Sequence, residues 1–178
     1  MTREGASIFV RPREPRDDAA IAAVVAAAFG GDAEARLVEA LRRDGDCVCE
    51  RVALGDGDAI VGHILFSRLE VMSASQSLKA AALAPFAVRP DLQRRGVGDT
   101  LTRAGLQACR DAGYELAVVL GHPNYYARFG FSALLAKLLD APYAGEAFMA
   151  LELKPRAIDG LRWKVAYPRA FSGPINPD

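Results

Sequence analysis

An excess of charge of either sign is absent from this sequence. Its 178 residues include 22 Lys and Arg against 22 Asp and Glu, so the formal net charge is zero. A neutral chain lacks the broad electrostatic attraction that nucleic acid or an anionic membrane would require, and we expect neither as a partner. Apolar runs are also short, since none approaches the ~20 residues that span a bilayer. The opening MTREGASIFVRPREPRDD lacks the apolar centre of a signal peptide, which indicates a cytoplasmic protein.

Sulfur and imidazole groups are scarce as well. The chain has three cysteines and two histidines, and the histidines lie far apart in the sequence. An odd number of cysteines without a secretion signal is a poor disulfide framework, and zinc would need more ligands than the chain groups together, so we predict no metal. Cys47 and Cys49 should share one face of a strand and be buried there. Cys109 should lie on the apolar stripe of a helix and serve in packing.

The sequence does contain regular strand and helix patterns, with 51% apolar and 25% charged residues, as in an ordinary globular protein. A short strand is predicted around IFVRPREP. The apolar spacing in DDAAIAAVVAAAFG predicts a helix capped by Asp17 or Asp18 and ended by Gly30. The segment DAEARLVEALRRDG predicts a second helix, from Asp32 to Gly45.

Strand patterns dominate the rest of the chain. The segments CVCERVAL, AIVGHILFSRLEVM and AALAPFAV predict three strands. A helix after Gly98 should end near Gly113, and ELAVVLG should be a strand buried on both faces. A short helix in PNYYARFG and strands around FSALL, AFMALELKP and GLRWKVAYPRAF complete the pattern. This order predicts an α/β or α+β fold with a mixed sheet, in which a helix joins two parallel strands between Leu83 and Leu120.

The segment QRRGVG lies between a predicted strand and a predicted helix. A helix start has free backbone N–H groups and a partial positive charge, so anions bind there readily. Gly96 and Gly98 leave that backbone uncovered, while Gln93, Arg94 and Arg95 add donors. Taken alone, the pattern fits a plain turn as well as a phosphate loop.

Three other catalytic motifs do not fit the chain. A P-loop needs Gly, four residues and then Gly-Lys-Ser/Thr, and a dinucleotide-binding fingerprint needs three spaced glycines soon after the first strand. A nucleophile elbow needs Gly-x-Ser-x-Gly. The absence of all three argues against a kinase or a hydrolase.

Two segments together resemble the signatures of the GNAT superfamily of N-acetyltransferases. The segment VRPDLQRRGVGDTL is similar to the superfamily's acyl-CoA diphosphate loop, Gln/Arg-x-x-Gly-x-Gly/Ala. The segment NYYARFGF is similar to its second signature, a tyrosine four residues before a Gly-Phe pair. The order of elements also resembles that of the superfamily from Ile8 to about Lys154, and the tail resembles that of a branch of small bacterial members.

The resemblance implies a central, mixed, mostly antiparallel sheet flanked by helices, in which two parallel strands splay apart to form the CoA cleft. It implies one acetyltransferase domain over residues 1–178, with a core at about 8–154 and a C-terminal strand extension at 155–178. Pro85 marks either the point of splaying or simply a sheet edge, because proline removes a backbone donor.

Acetyl-CoA is the implied co-substrate. In the superfamily, loop N–H groups hold the CoA diphosphate, which here implies Gln93, Arg94, Arg95, Gly96, Val97 and Gly98. The preceding strand would offer main-chain groups to the pantetheine arm at Phe86 and Val88. Asn124 would bond the pantetheine amide, or it is only a helix cap.

Tyr126 aligns with the superfamily's general acid. A thiol has a reference pKa of about 8.5 and tyrosine one of about 10, so a nearby phenol can hydrogen-bond the leaving sulfur and supply a proton. The alternative is a tyrosine that only caps the core, and Tyr125 is expected to pack. Candidates for the base are Glu70, near the end of a long strand, and His122, directly after the buried strand. His63 is expected to be a core or surface histidine.

The implied activity is transfer of an acetyl group from acetyl-CoA to a primary amine of a small molecule, or to an exposed amino group, by direct attack. The alternative is a non-catalytic module of the same fold that binds or senses acyl-CoA. Neither the first two helices nor LLAKLLDAPYAGEAF indicates which acceptor is used. The C-terminal strand segment and Trp163 either cover the sheet or meet a second subunit, which leaves a homodimer possible.

Overall fold

The computed structural model describes residues 8–143, 145–160 and 162–172. The predictions for residues 1–7, for Leu161 and for the end of the C-terminal extension lie outside these ranges. The described residues contain eight strands in one sheet. The strands are β1 (Phe9–Pro12), β2 (Cys47–Leu54), β3 (Ile60–Met72), β4 (Ser77–Val88), β5 (Leu116–Leu120), β6 (Leu139–Asp140), β7 (Phe148–Glu152) and β8 (Trp163–Ala166).

The α-helices of the described residues are α1 (Asp18–Phe29), α2 (Ala33–Arg43), α3 (Val97–Asp111), α4 (Pro123–Tyr126) and α5 (Ala133–Ala136). Gly30 ends α1 with a φ of +74°, and Gly45 follows α2 with a φ of +76°. Both glycines take the left-handed conformation that closes a helix, as predicted. Asp17 does not cap α1 with its side chain, because its carboxylate pairs with Arg11 at 2.7 Å.

The sheet is mixed and mostly antiparallel, as the sequence predicted. Its main path runs β1-β2-β3-β4-β5-β7, and β8 pairs with both β3 and β6. Among the described strands, β4 pairs with β5 in parallel and β6 pairs with β8 in parallel. The predicted parallel pair joined through α3 is therefore confirmed, since α3 lies between β4 and β5 in the chain.

The helices cover both faces of this sheet. On one face, Leu101 and Cys109 of α3 pack in one core cluster with Ile64 and Phe66 of β3. On the other face, the apolar side of α1 packs over β2 and β4, and α2 lies beside it together with the C-terminal segment. Strand β4 is thus covered by α3 on one face of the sheet and by α1 on the other.

Two predictions about local structure are wrong. The segment FSALL forms α5 instead of a strand, because the Ser132 hydroxyl accepts the Leu135 N–H at 3.2 Å and caps a run of good helix formers. Ser132 itself makes only an isolated bridge to Ala150. Cys47 and Cys49 do not share a face, because a register shift between them sends Cys47 to the α2 side and Cys49 to the α3 side.

Candidate active site

The parallel strands β4 and β5 separate at the centre of the sheet. They pair from Ala80 opposite Leu116 to Leu83 opposite Val119, and β4 then continues to Val88. At the point of separation, the pairing of β4 with β3 is irregular, since the two residues between Leu83 and Phe86 face a single residue of β3. Pro85 is one of these two residues. Proline thus lies at a bulge, just beyond the last residue of β4 that pairs with β5, which agrees with the splaying alternative.

The peptide groups of Phe86 and Val88 point into this cleft. The Arg89 N–H donates to the Val61 carbonyl at 2.9 Å, which makes these two residues a hydrogen-bonded pair of the β3–β4 ladder. Hydrogen-bonded and non-bonded pairs alternate along an antiparallel ladder, so Val88 and Phe86 belong to non-bonded pairs. Their N–H and C=O groups face the side from which β5 has departed. The Val88 carbonyl accepts from Gln93 Nε2 at 3.2 Å.

The loop after β4 exposes a row of backbone donors. Arg94 and Gly96 have left-handed φ values of +59° and +86°, and α3 begins at the next residue, Val97. Within the described part of the chain, the N–H groups of residues 94–99 meet no acceptor, whereas the Thr100 N–H donates to the Gly96 carbonyl at 3.1 Å. The side chains of Gln93, Arg94 and Arg95 are exposed around them. Free N–H groups at a helix start are the feature by which proteins commonly bind anions.

The two glycines of the loop serve different purposes. Gly96 has open space around it, so its role is the left-handed conformation of the turn. Gly98 is helical, and a Cβ placed on it would lie 2.8 Å from Tyr125 Oη and 3.0 Å from Phe86 Cζ. Gly98 therefore allows two aromatic side chains to reach the first turn of α3.

Tyr126 lies at the end of α4, with only 7% of its surface exposed. Its ring meets Tyr125 edge-on at 4.9 Å and Phe131 at 5.7 Å between centroids. Gly121, directly after β5, leaves the space that this ring occupies, since a Cβ there would lie 2.5 Å from Tyr126 Cε2. Burial raises the pKa of Tyr126 above its ordinary value, so the phenol stays protonated at neutral pH.

The Gly-Phe pair after Tyr126 has a clear structural role. Gly130 adopts a φ of +94° and ends the 3-10 turn Ala127–Phe129 that follows α4. The chain then reverses, and the Phe131 N–H donates to the Tyr126 carbonyl at 3.4 Å. Phe131 is buried against the Tyr126 ring. The motif thus fixes the tyrosine from its C-terminal side.

His122 and Asn124 lie at the start of α4, just beyond β5. His122 is the N-cap residue of α4, and its carbonyl accepts the N–H groups of Tyr125 at 3.0 Å and Tyr126 at 3.2 Å. The side chains of His122 and Asn124 are exposed. The structure therefore brings both residues to the helix that carries Tyr126.

Glu70 does not belong to this group. It lies opposite Lys79 near the start of β4 and opposite Ala166 of β8, and its side chain is exposed. The cleft opens at the other end of β4, beyond Leu83. The structure thus separates Glu70 from Tyr126, because strand β3 is long and runs past the cleft.

Sequence reasoning missed the ion pair between Asp99 and Arg128 at this site. Asp99, in the first turn of α3, accepts two hydrogen bonds from Arg128 at 3.0 and 3.2 Å. Tyr125 was expected to pack, and it does so at the cleft, stacked on Phe86 at 6.1 Å. Asp99 and Arg128 are separated by 29 positions in the chain, so no local pattern connects them.

A second polar cluster lies under α1 and α2. His63 is fully buried, and its Nε2 lies 2.6 Å from Glu50 Oε1. Glu50 also accepts from Arg42 of α2, which reaches Asp18 at 3.1 Å. His63 is a core histidine, as predicted. Burial lowers the pKa of His63 despite the neighbouring carboxylate, so we assign it as neutral.

The described residues show neither a metal-binding cluster nor a helix that could span a membrane. Within the ranges that the structure describes, three or more His, Cys, Asp or Glu side chains are nowhere grouped to hold a metal ion. None of the described helices is long and apolar enough to cross a membrane.

Comparison with known proteins identifies the family. A family model described as an acetyltransferase (GNAT) domain matches residues 10–134. The N-acetyltransferase YhbS of Escherichia coli K12 is 32% identical over 167 residues, which cover 93% of this chain and 99% of YhbS. The crystal structure of Escherichia coli YhbS in complex with CoA matches with a TM-score of 0.86 and 31% identity, over 97% of this chain and 96% of that chain.

A second solved structure is a GNAT family acetyltransferase from Brucella melitensis in complex with acetyl-CoA. It matches with a TM-score of 0.76 and 33% identity, over 93% of this chain and 99% of that chain. The matches thus cover the diphosphate-type loop, the splayed strands and the tyrosine helix together. The chain belongs to the GNAT family of acetyltransferases.

Proposed function

We propose that this protein transfers the acetyl group of acetyl-CoA to a primary amine of a small molecule, or to an exposed amino group, by direct attack. The observation that carries the proposal is the row of N–H groups at residues 94–99, which find no acceptor among the described residues and lie beside the part of β4 that β5 does not pair with. The bound CoA and acetyl-CoA in the two similar structures support the same co-substrate here.

The cleft matches the parts of acetyl-CoA in order. The diphosphate would accept hydrogen bonds from the N–H groups of the loop, with Gln93, Arg94 and Arg95 around it. The pantetheine arm would run along β4, bonded to the main chain of Phe86 and Val88 and, near α4, to the Asn124 amide. The acetyl group would then lie between the splayed strands. Binding of this kind places the thioester for attack without a covalent enzyme intermediate.

Tyr126 is the proposed proton donor. The amine forms a bond to the acetyl carbon, the bond from that carbon to sulfur breaks, and the electron pair leaves with the sulfur. The thiolate has a reference pKa of about 8.5, so it needs a hydrogen bond or a proton as it departs. A buried phenol that stays protonated can supply this hydrogen bond to the leaving sulfur.

The amine must be neutral to attack and must lose a proton afterwards. Of the two candidate bases, we retain His122, because it caps the helix that bears Tyr126 and its side chain is open to solvent. Glu70 lies away from the cleft, opposite Lys79, and would need a chain of water molecules to act.

Binding is tested by calorimetry with acetyl-CoA and CoA. We expect the wild-type protein to bind both, and Gly96→Val to lose binding because it strains a left-handed turn and covers the anion site. Gly45→Val is the matched control, since Gly45 has a φ of +76°, equally open surroundings and a place at the end of α2. Failure of the wild-type protein to bind at millimolar concentration would overturn the proposal.

Turnover is tested by release of free thiol from acetyl-CoA in the presence of a panel of amines. The protein's own thiols contribute little background, because Cys49 and Cys109 are buried and burial raises the pKa of Cys47 to about 12. We expect at least one amine to give catalytic thiol release. Binding without turnover on any amine would support the alternative of an acyl-CoA sensing module.

A further inference from the structure

The ion pair between Asp99 and Arg128 joins the two halves of the candidate site. Asp99 belongs to the first turn of α3, next to the free N–H groups of the loop. Arg128 lies two residues after Tyr126, in the 3-10 turn that follows α4. Its Nη1 and Nη2 atoms donate to the two carboxylate oxygens at 3.2 and 3.0 Å. The pair therefore connects the first turn of α3 to the turn that follows α4.

Tyr125 completes this connection. The Arg128 guanidinium lies 4.5 Å from the centre of the Tyr125 ring, and Nε donates to the Tyr125 carbonyl at 3.2 Å. The Tyr125 hydroxyl lies 3.4 Å from Thr102 Oγ1 on α3. The same ring stacks on Phe86 of the cleft strand and meets the Tyr126 ring edge-on. One aromatic ring therefore contacts β4, α3 and the proposed general acid.

We propose that Asp99, Arg128 and Tyr125 form a brace with two tasks. It sets the distance between the diphosphate-binding turn and Tyr126, and it cancels the charge of Asp99 at the anion site. The inference rests on the proposed function, since both tasks concern the binding and reaction of acetyl-CoA. Arg128 and Tyr125 act as positioning residues that hold Tyr126.

The electrostatic part follows from where Asp99 lies. A carboxylate in the first turn suits the partial positive charge of a helix start, but there it competes with an anionic ligand for the same field. With Arg128 paired to it, the carboxylate presents little net charge to a diphosphate. The side chains of Arg128 and Asp99 are 49% and 39% exposed, so the pair contributes little to the stability of the fold. The contribution of this ion pair is therefore to ligand binding at the candidate site.

Single and double substitutions that remove the two charges test the electrostatic task, with the Kd for acetyl-CoA measured by calorimetry. Arg128→Ala leaves the Asp99 carboxylate unpaired and should raise the Kd about five- to tenfold at low salt. The raised Kd should return toward the wild-type value at high salt. The double variant Asp99→Asn with Arg128→Ala should bind within about twofold of wild type, because neither charge remains. Equal Kd values for the single and double variants would overturn this task.

The positioning task is tested by measuring kcat for thiol release. Arg128→Ala and the double variant should both lower kcat by at least about tenfold, because a small misplacement of a reacting group is costly. Arg128→Lys should keep the Kd, since it keeps the charge, yet lose part of kcat, since a lysine cannot make the two-pronged and stacked contacts. A kcat equal to wild type in Arg128→Ala would overturn the positioning task.

Lys154→Ala is the control, because Lys154 forms another partly exposed ion pair, with Glu115 at 3.1 Å, at the end of the sheet away from the loop. It should leave Kd and kcat unchanged. If wild-type protein neither binds acetyl-CoA nor releases thiol, the proposed function fails. If wild type does both and the Arg128 variants match it, only the brace fails.

Discussion

At the scale of single residues, the site depends on two glycines, because each leaves space that a larger side chain would fill. Gly121 leaves room for the ring of Tyr126, and Gly98 leaves room for Tyr125 and Phe86. Tyr126 is held by packing on its flanks, with Tyr125 and Phe131 both meeting its ring edge-on. A phenol held in this way would lose little entropy on meeting the leaving sulfur in the proposed reaction. The position of its hydroxyl is therefore decided before any ligand binds.

Replacement of Tyr126 by phenylalanine tests its chemical role. The ring and its packing are kept, so acetyl-CoA should bind with an unchanged Kd and the melting temperature should stay close to that of wild type. Because the leaving thiolate loses its proton donor, kcat should fall roughly 10²- to 10⁴-fold. Steady-state thiol release, with calorimetry in parallel, measures both quantities. An unchanged kcat would remove Tyr126 from the mechanism and leave it as a packing residue.

At the scale of elements, α3 is the part that couples the loop to the rest of the fold. Its buried side, with Leu101 and Cys109, packs on β3, while its first turn carries the free N–H groups and Gly98. Glycine in a helix costs roughly 1 kcal/mol relative to alanine, so Gly98 lowers the stability of this helix. The close approach of Tyr125 and Phe86 explains why glycine stands there.

Alanine at position 98 should therefore separate stability from activity. Gly98→Ala should improve helix propensity by up to about 1 kcal/mol, while its Cβ pushes Tyr125 and Phe86 away from α3. We expect the melting temperature to hold or rise and kcat/KM for acetyl-CoA to fall about tenfold, as a shifted binding surface would cause. Thermal unfolding and thiol release check the two effects. Adding Tyr125→Phe removes the hydroxyl that lies 2.8 Å from the new Cβ and should recover part of the loss.

Several elements followed directly from local sequence. The closing glycines of α1 and α2, the turn before α3 and the buried run of β5 were all predicted, because each is signalled within a few neighbouring residues. The segment FSALL was not, since its apolar letters suit a strand as well as a helix. The Ser132 cap favours the helix α5 over a strand. Short apolar runs are settled by their caps and tertiary contacts more than by composition.

At the scale of the whole molecule, a buried polar cluster ties the helical layer to the sheet. Glu50 of β2 is paired with His63 of β3 and with Arg42 of α2, and all three side chains are largely buried. These pairings lower the pKa of Glu50 to about 2 despite its burial. The pKa of His63 is also lowered, by burial. Both groups therefore bind protons less readily in the folded chain than in the unfolded one.

The pH dependence of stability has a defined direction. Because the unfolded chain binds protons more readily at both groups, acid favours unfolding. The free energy of unfolding should be highest near pH 7 and fall as the pH drops below about 6.5, where an unfolded histidine takes up a proton. It should fall further below about 4.5, where an unfolded glutamate is protonated. Urea unfolding at several pH values measures this profile, and a flat profile from pH 7 to 4 would contradict it.

Substitution of Glu50 tests the origin of that profile. Glu50→Gln removes the charge that pairs with Arg42 and replaces one of the two acceptor oxygens that Arg42 and His63 share by a donor, so the free energy of unfolding at pH 7 should fall by about 3–5 kcal/mol. The decline below pH 4.5 should become shallower, since one titrating group is gone. Glu39→Gln is the control, because Glu39 is exposed on α2, the helix that carries Arg42, and it should match wild type.

The sequence by itself determined the turn at residues 93–96, the helix that follows it and the tyrosine motif, because glycine conformation, helix starts and chain reversal depend on residues only a few positions apart. Only the tertiary structure decided which side chains meet across the cleft. It carried Glu70 past the cleft along a long strand, and it brought Arg128 to Asp99 through the parallel pairing of β4 with β5. The reason is physical: side chains distant in sequence meet only through strand register and packing.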